Sequence, residues 1–406
     1  MIFKSSGNTS GSNVLYISYD GLLEPLGKSQ VIPYIIGLLE KGLKFNVMSF
    51  EKKRDTLDYA STLKLEKELK SKGINWVRLV YHKRPAVLST IFDIFMGVIT
   101  GIFLLKNNKI NVIHARSYVP GIIALILRKF SRFKFIFDMR GFWADERVEA
   151  GIWKKNSLLY KAAKRLEKTL FLSCDEAISL TNKGKEEIET FDYLKNRLPR
   201  ITVIPTCVDL ERFVQTRHLA NMFTIVYSGS VSTWILPKEM LEFFEIWAKS
   251  VSSSEFLVLT RENNSFMDVL KSVGKNNLPV SVLTVPYDVL SEYLSKASAG
   301  IAFYKPGYSR MGCSPTKVGE YLACGLPVVI NAGIGDTEDI IRKERIGLIV
   351  EEFSPAEYER VSRELKLMLS NDAGLHKRCR KAAEKYFSLR QGIEAYNMVY
   401  ERMLTR

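Results

Sequence analysis

The sequence predicts an α/β protein built from two Rossmann-like, doubly wound parallel-sheet domains in tandem. Three observations carry that prediction. The chain has 406 residues, more than one hydrophobic core usually serves. Short apolar runs alternate with helical patterns, the grammar of a parallel sheet covered on both faces. The alternation then restarts near Phe223, after a polar stretch.

The first strand is Val14–Ser18, broken by Asp20 and Gly21. Leu22–Gln30, with Pro25 and Gly27, reads as a loop, Val31–Leu39 as a helix and Phe45–Phe50 as the next strand. Trp76–Val80, Val112–Ala115, Phe133–Asp138 and Glu176–Leu180 follow as strands, with helices at Ile91–Leu105, Gly121–Arg128 and Leu158–Leu172. Ile201–Val208 closes the first half as a strand and turn. Asp209–Ala220 is polar and reads as a linker.

In the second half the strands are Phe223–Tyr227, Phe256–Thr260, Val280–Val285, Gly300–Phe303, Val328–Asn331 and Gly347–Val350, with a first helix at Pro237–Ser250. These patterns place a disordered leader at residues 1–12, one domain at 13–208 and a second at 209–385. The last helix, 386–406, is expected to pack back on the first domain. Ligands of open α/β sheets bind at the carboxyl ends of the strands. Two such domains are expected to face a common cleft suited to a two-substrate reaction.

Composition narrows the function. The hydrophobic fraction is 46%, which excludes a disordered chain. The net charge is +15, which points to an anionic partner: a nucleic acid, an acidic membrane surface or a phosphorylated substrate. No nucleic-acid-binding motif accompanies the charge, so no nucleic-acid partner is expected. The cysteines Cys174, Cys207, Cys313, Cys324 and Cys379 are scattered, without metal-ligand spacing, which fits a reducing compartment. The histidines do not cluster and no Asp-x-Asp appears, so neither a metal nor another cofactor is expected. One apolar run, Ala86–Leu105, approaches the length that spans a bilayer, but Asp93, Gly97 and Gly101 interrupt it. It reads as a buried or interfacial helix.

The chemistry concentrates between Phe303 and Val329. A strand ends at Phe303, and a loop rich in glycine and polar residues follows, through Gly312. Ser314-Pro315 reads as an N-cap followed by proline at the first helical position. Helix N-termini attract phosphate. Thr316 and Lys317 fall in the first turn, where the helix dipole disfavours lysine unless an anion is to be met. Glu320, one turn on, can accept hydrogen bonds from sugar hydroxyls. The same pair also reads as an ordinary surface Lys–Glu pair on a capped helix.

From Glu320 through Tyr321-Leu-Ala-Cys-Gly325 to Pro327-Val-Val329, this stretch resembles the donor-binding signature of glycosyltransferase family 4, whose members have the GT-B fold. The resemblance implies a retaining glycosyltransferase, of the bacterial polysaccharide or capsule type. Such an enzyme moves a sugar from a nucleoside-diphosphate sugar to a hydroxyl of a glycan or lipid-linked acceptor. The 13–208 domain would bind the acceptor and the 209–385 domain the donor. Glu320 would contact the nucleotide ribose. The position eight residues earlier, often a carboxylate facing the donor sugar, is Gly312 here, so backbone groups from Gly312 to Ser314 would take its place.

The resemblance carries further residues. Gly229 and Ser230, after the first strand of the second half, would approach the diphosphate. Arg261, after Thr260, would bind it, and Pro286-Tyr287 would frame the base. Departing charge would be stabilised by Arg261, Lys317 and the helix end at Ser314, Pro315 and Thr316. In the first half, Gly27 and Lys28 would belong to a glycine loop near donor phosphate and acceptor. His114 would face the cleft as a catalytic group, although a satisfied core histidine is the competing reading. Arg116 and Arg140 would hold the acceptor.

Lysine and arginine cluster at Lys83-Arg84, at Arg128–Lys134 and at Lys154–Lys168. With adjacent apolar residues they point to an anionic membrane surface, or else to solvated helix faces. A cytoplasmic protein, peripheral on the inner face of the cell membrane, is the expectation. A sugar-nucleotide 2-epimerase and a non-catalytic nucleotide-binding protein are the alternatives.

Overall fold

The apolar runs assemble into two separate sheets, each wholly parallel. The computed structural model describes residues 12–214, 222–231 and 233–405. Most of the expected leader, and the linker from 215 onward, therefore lie outside the described residues. The chain divides into two units. One comprises residues up to Ile204 together with Leu389–Arg406, and the other Pro205–Ser388.

The first unit contains β1 (Asn13–Ser18), β2 (Lys44–Glu51), β3 (Asn75–Val80), β4 (Ile110–Arg116), β5 (Lys134–Asp138), β6 (Glu176–Ser179) and β7 (Arg200–Val203). Their order is β3-β2-β1-β4-β5-β6-β7, so the direction of winding reverses between β1 and β4. β1 is buried from Val14 to Ser18 without alternation. Helices cover both faces of such a strand, which is why its sequence is continuously apolar. The final helix, Leu389–Leu404, belongs to this unit. Arg402 donates to Glu176 at 3.0 Å. Its Ile393 also lies so close to Gly37 that a β-carbon there would meet Ile393 Cδ1 at 2.2 Å.

The second unit contains β8 (Phe223–Ser228), β9 (Ser254–Leu259), β10 (Val280–Leu283), β11 (Ala299–Ala302), β12 (Val328–Asn331) and β13 (Gly347–Val350). The order is β10-β9-β8-β11-β12-β13, with the reversal between β8 and β11. Alternate residues of β8 feed two cores. Ile225 and Tyr227 join Phe243, Phe244 and Trp247 of the helix Pro237–Ser250. Val226 points to the other face, with Tyr321 and Leu322.

The structure corrects the sequence reading in places. Leu22–Gln30 is not all loop, because Pro25–Gln30 forms a short helix with proline at its start. The helix Tyr59–Ser71 lies between Phe50 and Trp76, a stretch to which the sequence reading assigned no element. Its polar sequence buries only Thr62, Leu65 and Leu69, too narrow a stripe to announce itself, and Asp58 caps it by accepting from Ser61 N–H at 3.0 Å. The run at Ile201 pairs only to Val203 before the chain passes into the second unit.

Candidate nucleotide-sugar site

In each unit the residues with unusual chemistry gather where the winding reverses. There the connections leave adjacent strands in opposite directions and open a crevice at the carboxyl ends.

In the second unit, Gly229 follows β8 and the segment 303–315 follows β11. Gly229 has φ +123°, which a side chain rarely tolerates. Lys317 reaches back to it from the first turn of the helix Thr316–Ala323. Its Nζ donates to the Tyr227 hydroxyl at 2.9 Å. The ammonium also lies 4.2 Å from the centre of the Tyr227 ring and 5.5 Å from that of Tyr304. Burial among these rings pulls its pKa from 10.5 down to about 7, against the attraction of Glu320.

Glu320, one turn further on, is buried. Burial pushes its carboxyl up to about 7, although a hydrogen bond from Tyr287 and the charge of Lys317 oppose the shift. Tyr287 begins the short turn Tyr287–Val289 after Pro286. Its ring packs on Phe213 and carries the Arg212 guanidinium at 5.3 Å. The loop after β10 therefore meets Glu320 through one tyrosine.

Ser314 does not cap the helix. Pro315 takes the cap position with an extended ψ of 119°, so the helix starts at Thr316 with no side-chain cap. The Ser314 hydroxyl instead accepts from the Thr206 N–H at 3.3 Å, and the Thr206 hydroxyl donates to the Ser314 carbonyl at 2.7 Å. The chain's entry into this unit is thereby fastened beside the helix start. The first-turn amides meet no capping side chain, the condition in which a helix end attracts an anion. Gly312 is buried at the end of the short turn Tyr308–Gly312.

Ser230 is engaged by a residue the sequence reading passed over. Glu262, after β9, accepts from the Ser230 hydroxyl at 3.0 Å and from Val231 N–H at 2.9 Å. Its neighbour Arg261 is exposed at the carboxyl end of β9. Tyr227 and Tyr304 were also missed. Both stood in or beside apolar runs, and nothing linear shows that rings ninety and thirteen positions before Lys317 enclose that one lysine.

In the first unit the same topology joins Asp20, after β1, to Arg116, at the end of β4. Arg116 is 3% exposed, with Nε 3.6 Å from Asp20 Oδ2. Its Nε and Nη1 are buried without a hydrogen-bond partner. The backbone is strained here too: Ser117 has φ +78° and Arg140 φ +61°.

His114 is corrected. It is 1% exposed, and Tyr16 and Tyr396 pack on its ring. Nδ1 lies 2.7 Å from the Tyr400 hydroxyl and Nε2 3.5 Å from Asp138 Oδ2. Burial lowers its pKa, outweighing Asp138. It is a neutral core histidine that supports Asp138 and is not placed to touch a substrate. Asp138 also accepts from Tyr396 at 3.0 Å, and its Oδ1 lies 3.7 Å from Arg140. Burial would raise its pKa, but Arg140, His114 and Arg116 together hold it at about 2. Gly27 is buried in the short helix after β1. A β-carbon there would meet the Gly21 carbonyl at 2.2 Å and Leu22 Cα at 2.5 Å, so the glycine serves a close backbone crossing. Lys28 follows it, half-buried.

Two family models match. Residues 38–212 match Glycosyltransferase Family 4, and residues 302–371 match the C-terminal domain of the glucosyltransferase 3-like family. The chain carries a Glycosyltransferase Family 4 domain. It is a glycosyltransferase with the two-sheet GT-B fold. Solved structures of similar fold cover almost all of it. Sucrose-phosphate synthase from Thermosynechococcus elongatus aligns with TM-score 0.70 and 13% identity, over 97% of this chain and 99% of its own. HepE from Anabaena, solved in complex with UDP, aligns with TM-score 0.67 and 12% identity, over 96% of this chain and all of its own (100%). The Escherichia coli trehalose-6-phosphate protein bound with UDP-2-fluoro glucose gives TM-score 0.66 and 13% identity, over 96% and 99%. No curated protein matches this glycosyltransferase in sequence. The helix of Lys317 and Glu320 lies within the second matched segment, and Arg116 and Arg140 within the first.

Proposed function

We propose that this enzyme transfers a sugar, with retention of anomeric configuration, from a nucleoside-diphosphate sugar to a hydroxyl of a glycan or lipid-linked acceptor in cell-surface polysaccharide synthesis. The observation that carries the reading is Lys317. Its cation is held by Tyr227 and Tyr304 against Gly229, at the winding reversal of the second unit and beside an uncapped helix start. An arriving diphosphate restores the lysine's full charge, and that charge then neutralises the negative charge developing as the nucleotide departs. Glu320, steadied by Tyr287, accepts hydrogen bonds from the ribose, and Pro286 and Tyr287 frame the base. Arg261 adds a second cation near the diphosphate. The donor sugar is held by backbone groups of Gly312–Ser314.

The acceptor hydroxyl attacks from the face the nucleotide leaves, and the departing phosphate oxygen takes its proton. No resident cofactor or metal is needed for this step. Arg116, with its unpartnered buried nitrogens, and Arg140 bind an anionic group of the acceptor. Lys28 assists them. The enzyme works in the cytoplasm, peripherally on the inner face of the membrane, where a lipid-linked acceptor is reached.

The decisive experiment is a thermal-shift screen with UDP-, GDP- and other sugar nucleotides, followed by a nucleotide-release assay with and without polyprenyl-phosphate-linked glycans. Stabilisation by one sugar nucleotide, and release of free diphosphate only when acceptor is present, supports the transferase. Release of the nucleotide with an altered sugar and no acceptor refutes it in favour of epimerisation.

A further inference from the structure

The helix Ala86–Asn107 of the first unit has two unlike faces. At 100° per residue, Ser89, Asp93, Gly97, Gly101 and Leu104 form one stripe, and all are buried. This face is fitted to its own unit. A β-carbon on Gly97 would meet Ile123 Cδ1 at 2.5 Å, and one on Gly101 would meet Leu127 Cδ1 at 2.6 Å. Asp93, the acidic residue of the helix, points inward, accepting from the Tyr19 hydroxyl at 2.8 Å and from His82 N–H at 3.1 Å.

The opposite stripe is Leu88, Ile91, Phe92, Phe95, Ile99 and Phe103. Leu88 and Phe103 are 65% exposed and Phe95 is 58% exposed. A continuous apolar face of this kind marks an interaction surface, unlike apolar residues scattered singly. By length and composition the helix could cross a membrane. Its fitted inner face rules that out for the folded unit, because crossing would strip Gly97 and Gly101 from their neighbours.

Charge selects the occupant. Lys83 and Arg84 stand exposed before the helix, and Lys106 and Lys109 at its end. From residue 82 to 109 the sequence holds no acidic residue but Asp93, which is buried. Basic groups at both ends suit a helix lying flat, with each end at the headgroups of one leaflet. Two copies of this face pressed together would set these cations against one another or leave them unpaired.

We propose that this face is the membrane-binding element of the enzyme. Leu88, Ile91, Phe92, Phe95, Ile99 and Phe103 enter the boundary between headgroups and acyl chains of a bilayer. Lys83, Arg84, Lys106 and Lys109 meet its anionic lipids. The inference deepens the peripheral-membrane reading above: of the basic clusters named there it selects Lys83-Arg84, beside this helix, over the lysine-rich helix Leu158–Ser173. In that other helix Lys164 is turned inward, paired with Glu167 and with Asp145.

The test is cosedimentation of the full chain with vesicles of phosphatidylcholine alone or mixed with phosphatidylglycerol. The wild-type protein is expected to bind the mixed vesicles. The double variant Phe95→Glu, Phe103→Glu is expected to lose about tenfold or more in binding. Lys83→Glu with Arg84→Glu is expected to remove the preference for phosphatidylglycerol. Both substituted pairs are exposed, so thermal midpoints and circular dichroism should match wild type. Equal vesicle binding by wild type and the Phe variant overturns the proposal, as does absence of binding by wild type. Light scattering that shows a dimer, converted to monomer by the Phe substitutions, also overturns it and assigns the face to self-association. None of these outcomes depends on transfer, so sugar-nucleotide thermal shifts report separately on the transferase reading.

Discussion

Lys317 lays its ammonium where a side chain on Gly229 would begin. A β-carbon at 229 would stand 3.1 Å from Nζ and 3.3 Å from Cε. The two residues lie on connections that leave β8 and β11 in opposite directions, so the reversal of the sheet is what brings them together. Gly229→Ala carries both a crowding cost and the strain of φ +123°. The variant is expected to be less stable by about 1–2 kcal/mol and to bind sugar nucleotide about tenfold more weakly, as the lysine is displaced. Chemical denaturation and titration calorimetry measure the two effects. Unchanged affinity would separate Lys317 from the donor.

The carboxyl of Glu320 sets an acid-side dependence of stability. Its pKa rises on folding from 4.5 to about 7, so between those values the folded state keeps a proton that the unfolded chain releases. Stability conferred by the protonated form is complete below about pH 4.5 and is lost as pH rises towards 7. Glu320→Gln should flatten that slope, by up to about 1 kcal/mol per pH unit, while transfer falls. Urea unfolding across the window, with donor absent, reads it. A slope that survives the substitution removes Glu320 as its source.

Lys317 behaves oppositely. Its pKa falls from 10.5 to about 7, so its stability contribution is complete above about pH 10.5 and is lost as pH falls through 7. A bound diphosphate reverses this. At pH 8 nucleotide binding should take up about one proton, seen as a dependence of calorimetric enthalpy on buffer ionisation, and Lys317→Met should abolish the uptake.

Ser314→Ala tests the tie at the entry to the second unit. It removes the acceptor for the Thr206 N–H and the neighbour at 3.1 Å of the Thr206 hydroxyl. The expected loss is about 1–2 kcal/mol, because a buried N–H is left unpaired. Ser314→Thr should recover part of it if the methyl is accommodated. Thermal unfolding at fixed pH decides.

Arg116→Gln separates acceptor from donor. The sugar-nucleotide thermal shift should persist while KM for the acceptor rises about tenfold, in line with the loss of a charge-assisted contact. Loss of the donor shift with unchanged acceptor KM would place Arg116 on the other substrate.

The alternation from Val14 to Val350 was enough to read two wound sheets, because strands buried on both faces must be apolar along their whole length. Lys317 and Glu320 were legible because a lysine in the first turn of a helix opposes the dipole and so calls for an anion. The lysine's partners were not legible. Tyr227 and Tyr304 sit in strand-like runs whose apolar character fits any core. His114 was misread for the converse reason: a polar residue at the end of a strand looks the same whether it faces a ligand or Tyr400 and Asp138. The helix Ala86–Asn107 shows the division most plainly. Its length, its apolar composition and the lone Asp93 were set by the order of residues alone. Only the tertiary structure decided which stripe is buried, because that depends on Gly97 and Gly101 meeting Ile123 and Leu127 from another helix. The same holds at the sites. Local sequence determined that a glycine follows β8 and a helix follows β11, while the missing cap and the meeting of the two connections rest on the tertiary structure, the latter on strand order, a property that no local pattern of side chains encodes.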